Sequence, residues 1–202
     1  MSKARVVAIG DLNGSVEALL RVLRGLKLVT RDDNWRARGT HLIQVGDMFN
    51  RGGTGRDCFE LLLKLQKQAT AKASRVSILL GNHEVMTALG NEAYCSVEEY
   101  LSFATEAQRK AWPGRVTKAT RRIYRDHPPG GPVSPLAPRV EAWKAINAPG
   151  QAAMRRALGP RGKLGLAMRK LPIAVIAQDC VFSHAPLSPR WARLGIDGLG
   201  EA

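Results

Sequence analysis

The chain has no stretch of about 18 apolar residues, so no helix is expected to span a membrane, and no membrane partner is expected. The apolar run nearest the start, Val6 to Ile9, is too short for the core of a secretion signal. Cysteine is scarce: Cys58, Cys95 and Cys180 are odd in number, widely separated and form no CxxC pair. That pattern offers neither a zinc knuckle nor a disulfide framework, and the expected compartment is the reducing cytoplasm. Internal repeats and low-complexity tracts are absent as well. What remains is an ordinary globular composition, 45% apolar and 24% charged, in 202 residues, enough for one domain with a substantial core.

Acidic residues are the other shortage, 17 against 31 Lys and Arg, for a net charge of +14. Almost all of that excess lies between Arg109 and Lys170, where 15 basic residues face only Asp126 and Glu141. A basic face can attract nucleic acid, anionic lipid or phosphorylated substrates, or can be a plain solvated surface. The solvated surface is the leading reading, because no nucleic-acid motif or interleaved aromatic run accompanies the charge. A nucleic-acid partner rests on charge alone.

The elements alternate. Val6 to Ile9 reads as a buried strand closed by Gly10, and Ser15 caps a helix carrying Val16, Leu19, Leu20, Leu23 and Leu26 at helical spacing. His41 to Val45 is a second strand closed by Gly46. Thr54 with Asp57 resembles a capping box for a second helix through Phe59, Leu62, Leu63 and Leu65. Val76 to Leu80 is a third strand, closed by Gly81. Strand alternating with helix predicts a mostly parallel sheet. Ser96 with Glu99 predicts a short helix through Phe103. Ile173 to Ser183 predicts a hairpin turning at Gln178 and Asp179. Between about 109 and 163 the chain is basic and punctuated by eight prolines, from Pro113 to Pro160, which predicts an inserted helical and loop region outside the sheet.

Each of the three strands ends in a glycine followed by a polar residue: Asp11, Asp47 and Asn82, with His83 next. Ligands bind at the carboxyl ends of strands in open α/β sheets, and these ends gather carboxylates, an amide and imidazole in one place. Two divalent ions sharing a site need hard oxygen donors, a bridging carboxylate and borderline nitrogen donors, which Asp11, Asp47, Asn82 and His184 provide. Any one of these alone is most simply a turn or helix cap.

The segments Gly10-Asp11-Leu12-Asn13-Gly14, Gly46-Asp47-Met48-Phe49-Asn50-Arg51-Gly52 and Gly81-Asn82-His83-Glu84 resemble the GDxHG, GDxxDRG and GNHE signatures of phosphoprotein phosphatases. Leu171-Pro172-Ile173-Ala174 through Ser183-His184-Ala185-Pro186-Leu187-Ser188-Pro189 resembles that group's LPxA…HGGLSP segment. Asn34-Trp35, Val85-Met86, Gly90 and Tyr94 make the Shewanella-like phosphatases the most similar subgroup. The resemblance covers about residues 4–103 and 168–190. It implies an α/β fold, the calcineurin-like metallophosphoesterase β-sandwich flanked by helices, incomplete on its C-terminal side. Its core would span 4–108 and 164–202 and its basic insertion about 109–163.

The resemblance also implies roles. Asp11 and Asp47 would bind the first of two divalent ions (Mn, Fe or Zn), where the Asn13 carbonyl can also ligate but more weakly than the family's imidazole, and Asp47 would bridge to a second held by Asn82 and His184. A water between the ions would be the nucleophile, Arg51 would hold a phosphate oxygen, and His83 would be the general acid. Glu84 reads equally as a supporting residue and as an acid at a helix start. The substrate would be a phosphorylated protein or a small phosphoester.

The chain departs from the family at Asn13, where a metal-binding histidine is usual, at Asn50, where an aspartate orients the catalytic histidine, and at Ala185-Pro186 in place of two glycines. No histidine follows His184 to complete the second metal, so the chain is expected to be either a piece of a longer reading frame or a catalytically weak short form. His41 is expected to be structural and His127 to sit on a solvated surface. Two other readings stay open: a pseudophosphatase that binds an anionic partner, and a dinucleoside polyphosphate hydrolase. Asn50 favours the latter and Glu84 disfavours it.

Overall fold

The computed structural model describes residues 5–126, 136–193 and 195. Three parallel strands form one sheet in the order β1 (Arg5–Ile9), β2 (Thr40–Gln44), β3 (Arg75–Ile78). Their register, Ile9 opposite Gln44 and Gln44 opposite Ile78, brings the three carboxyl ends level. Helices α1 (Val16–Gly25) and α2 (Gly55–Thr70) connect them. The boundaries of the three strands and of helix α1 match the sequence reading to within two residues.

Alternation along β2 separates two cores, because successive side chains point to opposite faces of a strand. Leu42 joins Leu19, Leu23, Phe59 and Leu62 from α1 and α2 in the large apolar cluster. Ile43 joins Leu79, Val175 and Ala177 in a smaller one. The latter pair belong to β4 (Ala174–Ala177), which is antiparallel to β5 (Cys180–Ser183). The two sheets therefore face each other as a sandwich, the second having two strands among the described residues. Gln178 and Asp179, at φ 49° and 65°, make the tight turn between them, as twisted two-residue hairpins require.

The basic region is mostly helical. Between β3 and β4 lie α3 (Asn82–Ala88), α4 (Val97–Ser102), α5 (Glu106–Asp126), α6 (Leu136–Asn147), α7 (Gln151–Leu158) and α8 (Lys163–Met168); α9 (Pro189–Ala192) follows β5. No strand occurs in this region among the described residues. Helix α5 runs through Pro113 instead of breaking there. The missing N–H costs one bond early in a 21-residue helix, while Trp112, stacked on Trp143 of α6 at 5.6 Å, anchors that turn in the large core. Ala148, Met154 and Leu158 join the same core. A cleft of about 980 Å³ beside α5 is lined by Arg115, Lys118, Arg121, Arg122, Arg125 and Trp143. No helix among the described residues is long and apolar enough to cross a membrane.

Candidate functional site

The loops leaving the three strands are tied to one another by their main chains. The Leu12 and Asn13 N–H groups both donate to the Asp47 carbonyl at 2.9 Å. Gln44, fully buried at the end of β2, accepts the Gly46 N–H at 3.0 Å and donates its amide to the carbonyls of Gly46 at 2.7 Å and Gly10 at 3.3 Å. The turn after β2 passes through φ 105° at Gly46 and 57° at Asp47. Backbone packing there is close enough that a Cβ on Gly46 would lie 2.6 Å from the Gly81 nitrogen. A Cβ on Gly81 would run into Asp47. Glycine at both strand ends is what lets β2 and β3 deliver their polar residues to one point.

At that point Asp11, Asp47 and His184 each offer a ligand atom within 4.8 Å of the others. The Asn82 Oδ1 lies 2.8 Å from His184 Nε2, and Asp47 Oδ2 lies 3.5 Å from it. His184 Nδ1 faces the Val45 carbonyl at 3.0 Å. Both ring nitrogens thus face oxygen acceptors, and a neutral imidazole can donate from only one of them. With the proton on Nδ1, directed at Val45, the Nε2 lone pair points into a group of oxygens. That is an unfavourable contact by itself and the usual ligand arrangement around a cation. Asn13 Oδ1 is buried without a hydrogen-bond partner, and a buried acceptor calls for one. Two carboxylates, the Asn82 amide oxygen and an imidazole fit a borderline or hard divalent ion.

His83 is buried beside this cluster, 2% exposed. Its N–H donates to Asp47 Oδ1 at 3.0 Å, its Nε2 is 3.8 Å from Asp47 Oδ2, and its Nδ1 meets the Asn50 amide nitrogen at 3.0 Å. Arg51 lies on the same loop as Asn50. Its N–H donates to the Tyr94 carbonyl at 2.9 Å and its guanidinium rests over the Tyr94 ring at 5.8 Å. That side chain makes no ion pair among the described residues, so its charge is free for an anion.

Two buried glutamates lie against the loop between Asp47 and Arg56. Glu84 accepts the N–H groups of Asp47, Met48, Phe49 and Gly81 at 2.8 to 3.3 Å. It therefore caps α3 and supports the site loop at once, joining the two roles the sequence left open. Burial pushes its carboxyl above the usual range, against the pull of those four donors. Glu99 faces the N–H groups of Asn50, Arg56 and Gly55 without full hydrogen-bond geometry to any of them. Burial, opposed by those dipoles and helped by the Asp57 charge, raises its pKa to about 7.

Several sequence expectations need correction or placing. Thr54 makes no capping bond within α2. Its hydroxyl accepts the Val16 N–H at 2.9 Å and donates to the Gly14 carbonyl at 2.7 Å, fastening the start of α2 to that of α1. Ser96 does cap α4, accepting the Glu99 N–H at 2.9 Å. His41 is half-buried against Ser77 at 2.9 Å and away from the cluster, and burial lowers its pKa. His127 lies outside the described residues. Gln44, Cys95 and Glu99 were missed as contributors to the site. Only Gln44 carried a signal, a lone amide ending an apolar strand.

The family model for calcineurin-like phosphoesterases matches residues 4–135. The chain is similar to Shewanella-like protein phosphatase 2 of Arabidopsis thaliana, 28% identical over 98% of this chain and 50% of that one. It is 40% identical to Shewanella-like protein phosphatase 1 of Plasmodium berghei over 49% of this chain and 27% of that one. The crystal structure of a cold-active protein-tyrosine phosphatase from a psychrophilic Shewanella superposes on 97% of this chain and 46% of its own, with a TM-score of 0.64 and 23% identity. That likeness shows the sandwich fold. The chain spans half or less of the length of these relatives.

Proposed function

The chain belongs to the calcineurin-like phosphoesterase family, and on that premise we propose that it is a metal-dependent phosphomonoesterase acting on phosphorylated proteins. The observation that carries the reading is the convergence of Asp11, Asp47 and His184 within 4.8 Å at the strand ends. The names of the curated relatives, protein phosphatases both, give the substrate class.

Asp11, Asn13 and Asp47 would hold one divalent ion and Asn82 and His184, with Asp47 shared, a second, with manganese, iron or zinc suited to the donors. Bound ions would supply Lewis acidity to the attacking water and the phosphoryl oxygens. The chain's own residues do the rest. Val45, through its carbonyl, fixes the His184 tautomer. Arg51 binds a phosphoryl oxygen with a planar fork that a point charge cannot reproduce. His83 delivers a proton to the leaving oxygen, held in place by Asn50 and Asp47. Asn50 meets the ring with a neutral amide and brings no charge to it. Three unpaired cysteines fit a reducing cytoplasm.

The cleft beside α5 favours a related reading, in which Arg115, Lys118, Arg121, Arg122 and Arg125 receive the acidic flank of a phosphoprotein, with or without turnover. Manganese-supplemented assays with para-nitrophenyl phosphate and phosphopeptides test the enzyme. Activity lost in Asp47→Ala supports it, while activity unchanged in that variant, or faster cleavage of diadenosine tetraphosphate, overturns it.

A further inference from the structure

Cys95 lies outside the signature segments, yet two hydrogen bonds connect it to His83. The Cys95 thiol donates to Asn50 Oδ1 at 2.9 Å. The Asn50 amide nitrogen then stands 3.0 Å from His83 Nδ1 and 3.4 Å from Thr87 Oγ1. An amide has two settings, a half turn apart, that exchange its donor and acceptor ends. Asn50 is 1% exposed, so solvent does not choose between them. The neighbours do. A thiol offers a proton, a carbonyl oxygen takes it, and the NH₂ end is left facing the ring. His83 Nδ1 is then an acceptor, and the ring proton sits on Nε2, the nitrogen that looks toward Asp47 Oδ2 at 3.8 Å.

We infer that Cys95 is a positioning residue for His83: its thiol proton sets the Asn50 amide, and the amide sets which ring nitrogen presents a proton to the strand-end cluster. The environment keeps the sulfur a donor. Burial first, then the charges of Glu99 and Glu92, push the thiol up to about 12, so it stays protonated at ordinary pH. In this role the residue is a hydrogen-bond donor and not a nucleophile.

The rest of its segment acts on the same pair of residues. The Tyr94 ring meets the His83 ring edge-on at 5.2 Å and lies under the Arg51 guanidinium. The segment itself is fastened to α7, where Arg155 grips Glu92 with Nε at 2.6 Å and Nη2 at 2.8 Å, and Tyr100 donates to the same carboxylate at 3.2 Å. His83 and Arg51 are thus oriented from one short stretch of chain that no strand-end motif contains.

The inference rests on His83 acting in the proposed reaction, but its first test does not. Nitrogen-15 spectra of the imidazoles in the metal-free chain, at one fixed pH, should show His83 as the Nε2–H tautomer in wild type and in Cys95→Ser, and as a mixture in Cys95→Ala. The second test is turnover of para-nitrophenyl phosphate with manganese. Cys95→Ala should lose about 10- to 100-fold in kcat, the range for removing a supporting hydrogen bond, with KM unchanged. Cys95→Ser, which restores a donor of similar shape, should recover most of that loss. An unaltered tautomer in Cys95→Ala overturns the inference, as does equal loss in the Ala and Ser variants, which would mark mere packing. A chain without turnover but with the tautomer change sinks the proposed reaction and leaves the relay standing.

Discussion

Asp47 and Glu84 bind each other only through the Asp47 main chain, whose N–H donates to Glu84 Oε2 at 2.8 Å. The Asp47 side chain is thereby left free to face His83 and His184. Glu84 collects three further backbone donors while fully buried. In Glu84→Ala those donors lose this acceptor, and an unsatisfied buried group costs about 1–3 kcal/mol. The expected loss is at least ~3 kcal/mol by urea denaturation of the metal-free chain, enough to unfold a marginal domain. Glu84→Gln keeps one acceptor oxygen and should lose less, although its NH₂ group opposes a backbone N–H.

Glu99 should make stability fall as the pH rises. Its folded pKa of about 7 stands above the ordinary 4.5. Between those values the folded chain holds a proton that the unfolded chain has released. The stability this group contributes is therefore full below about 4.5 and is lost as the pH passes about 7. Glu99→Gln removes that dependence. Relative to it, wild type should lose up to roughly 3 kcal/mol between pH 4.5 and 8, since a tenfold difference in proton affinity is worth about 1.4 kcal/mol. Denaturation of both metal-free proteins across that range checks the sign, with Glu84 contributing equally to each.

Asn13 should behave as a ligand and not as a structural amide. Its Oδ1 is buried without a partner, and its φ of 46° suits Asn or Asp. Asn13→Asp adds a hard anionic donor beside Asp11 and Asp47. Manganese affinity should rise on the order of tenfold, as ligand charge does in cation sites. Without metal the added like charge should lower Tm. A structural amide would give the second effect and not the first.

The cationic cleft beside α5 should reveal itself through salt. Raising sodium chloride from about 50 to 250 mM shortens the screening length roughly twofold, which weakens contacts with an extended anion. KM for a phosphopeptide with an acidic flank should rise several-fold, and that for para-nitrophenyl phosphate far less. Lys118→Glu with Arg122→Glu should remove the difference, measured by steady-state kinetics.

The scaffold was legible because its signals are local. A short apolar run closed by glycine marks each strand, and Gln178-Asp179 marks the hairpin. The residues that finish the site are held by long-range contacts. Thr54 looked like a cap for its own helix, but its hydroxyl partners are 38 and 40 positions away. Cys95 reaches Asn50 across 45 positions, and His184 reaches Asn82 across 102. The sequence still pointed to His184, because a family signature stands in for such contacts. Cys95 and Glu99 were not, since neither belongs to the strand-end signatures or the LPxA…HGGLSP segment. Spacing alone could not show that Glu84 and Glu99 lie against one loop.

The central claim is that the strand-end cluster is a cation site built on Asp47. Calorimetric titration of the metal-free chain with manganese tests it directly, in wild type and in Asp47→Asn, which preserves shape and the main-chain bonds. The account predicts binding in wild type and its loss in the variant, with the fold retained by circular dichroism. Equal binding by both proteins would contradict it.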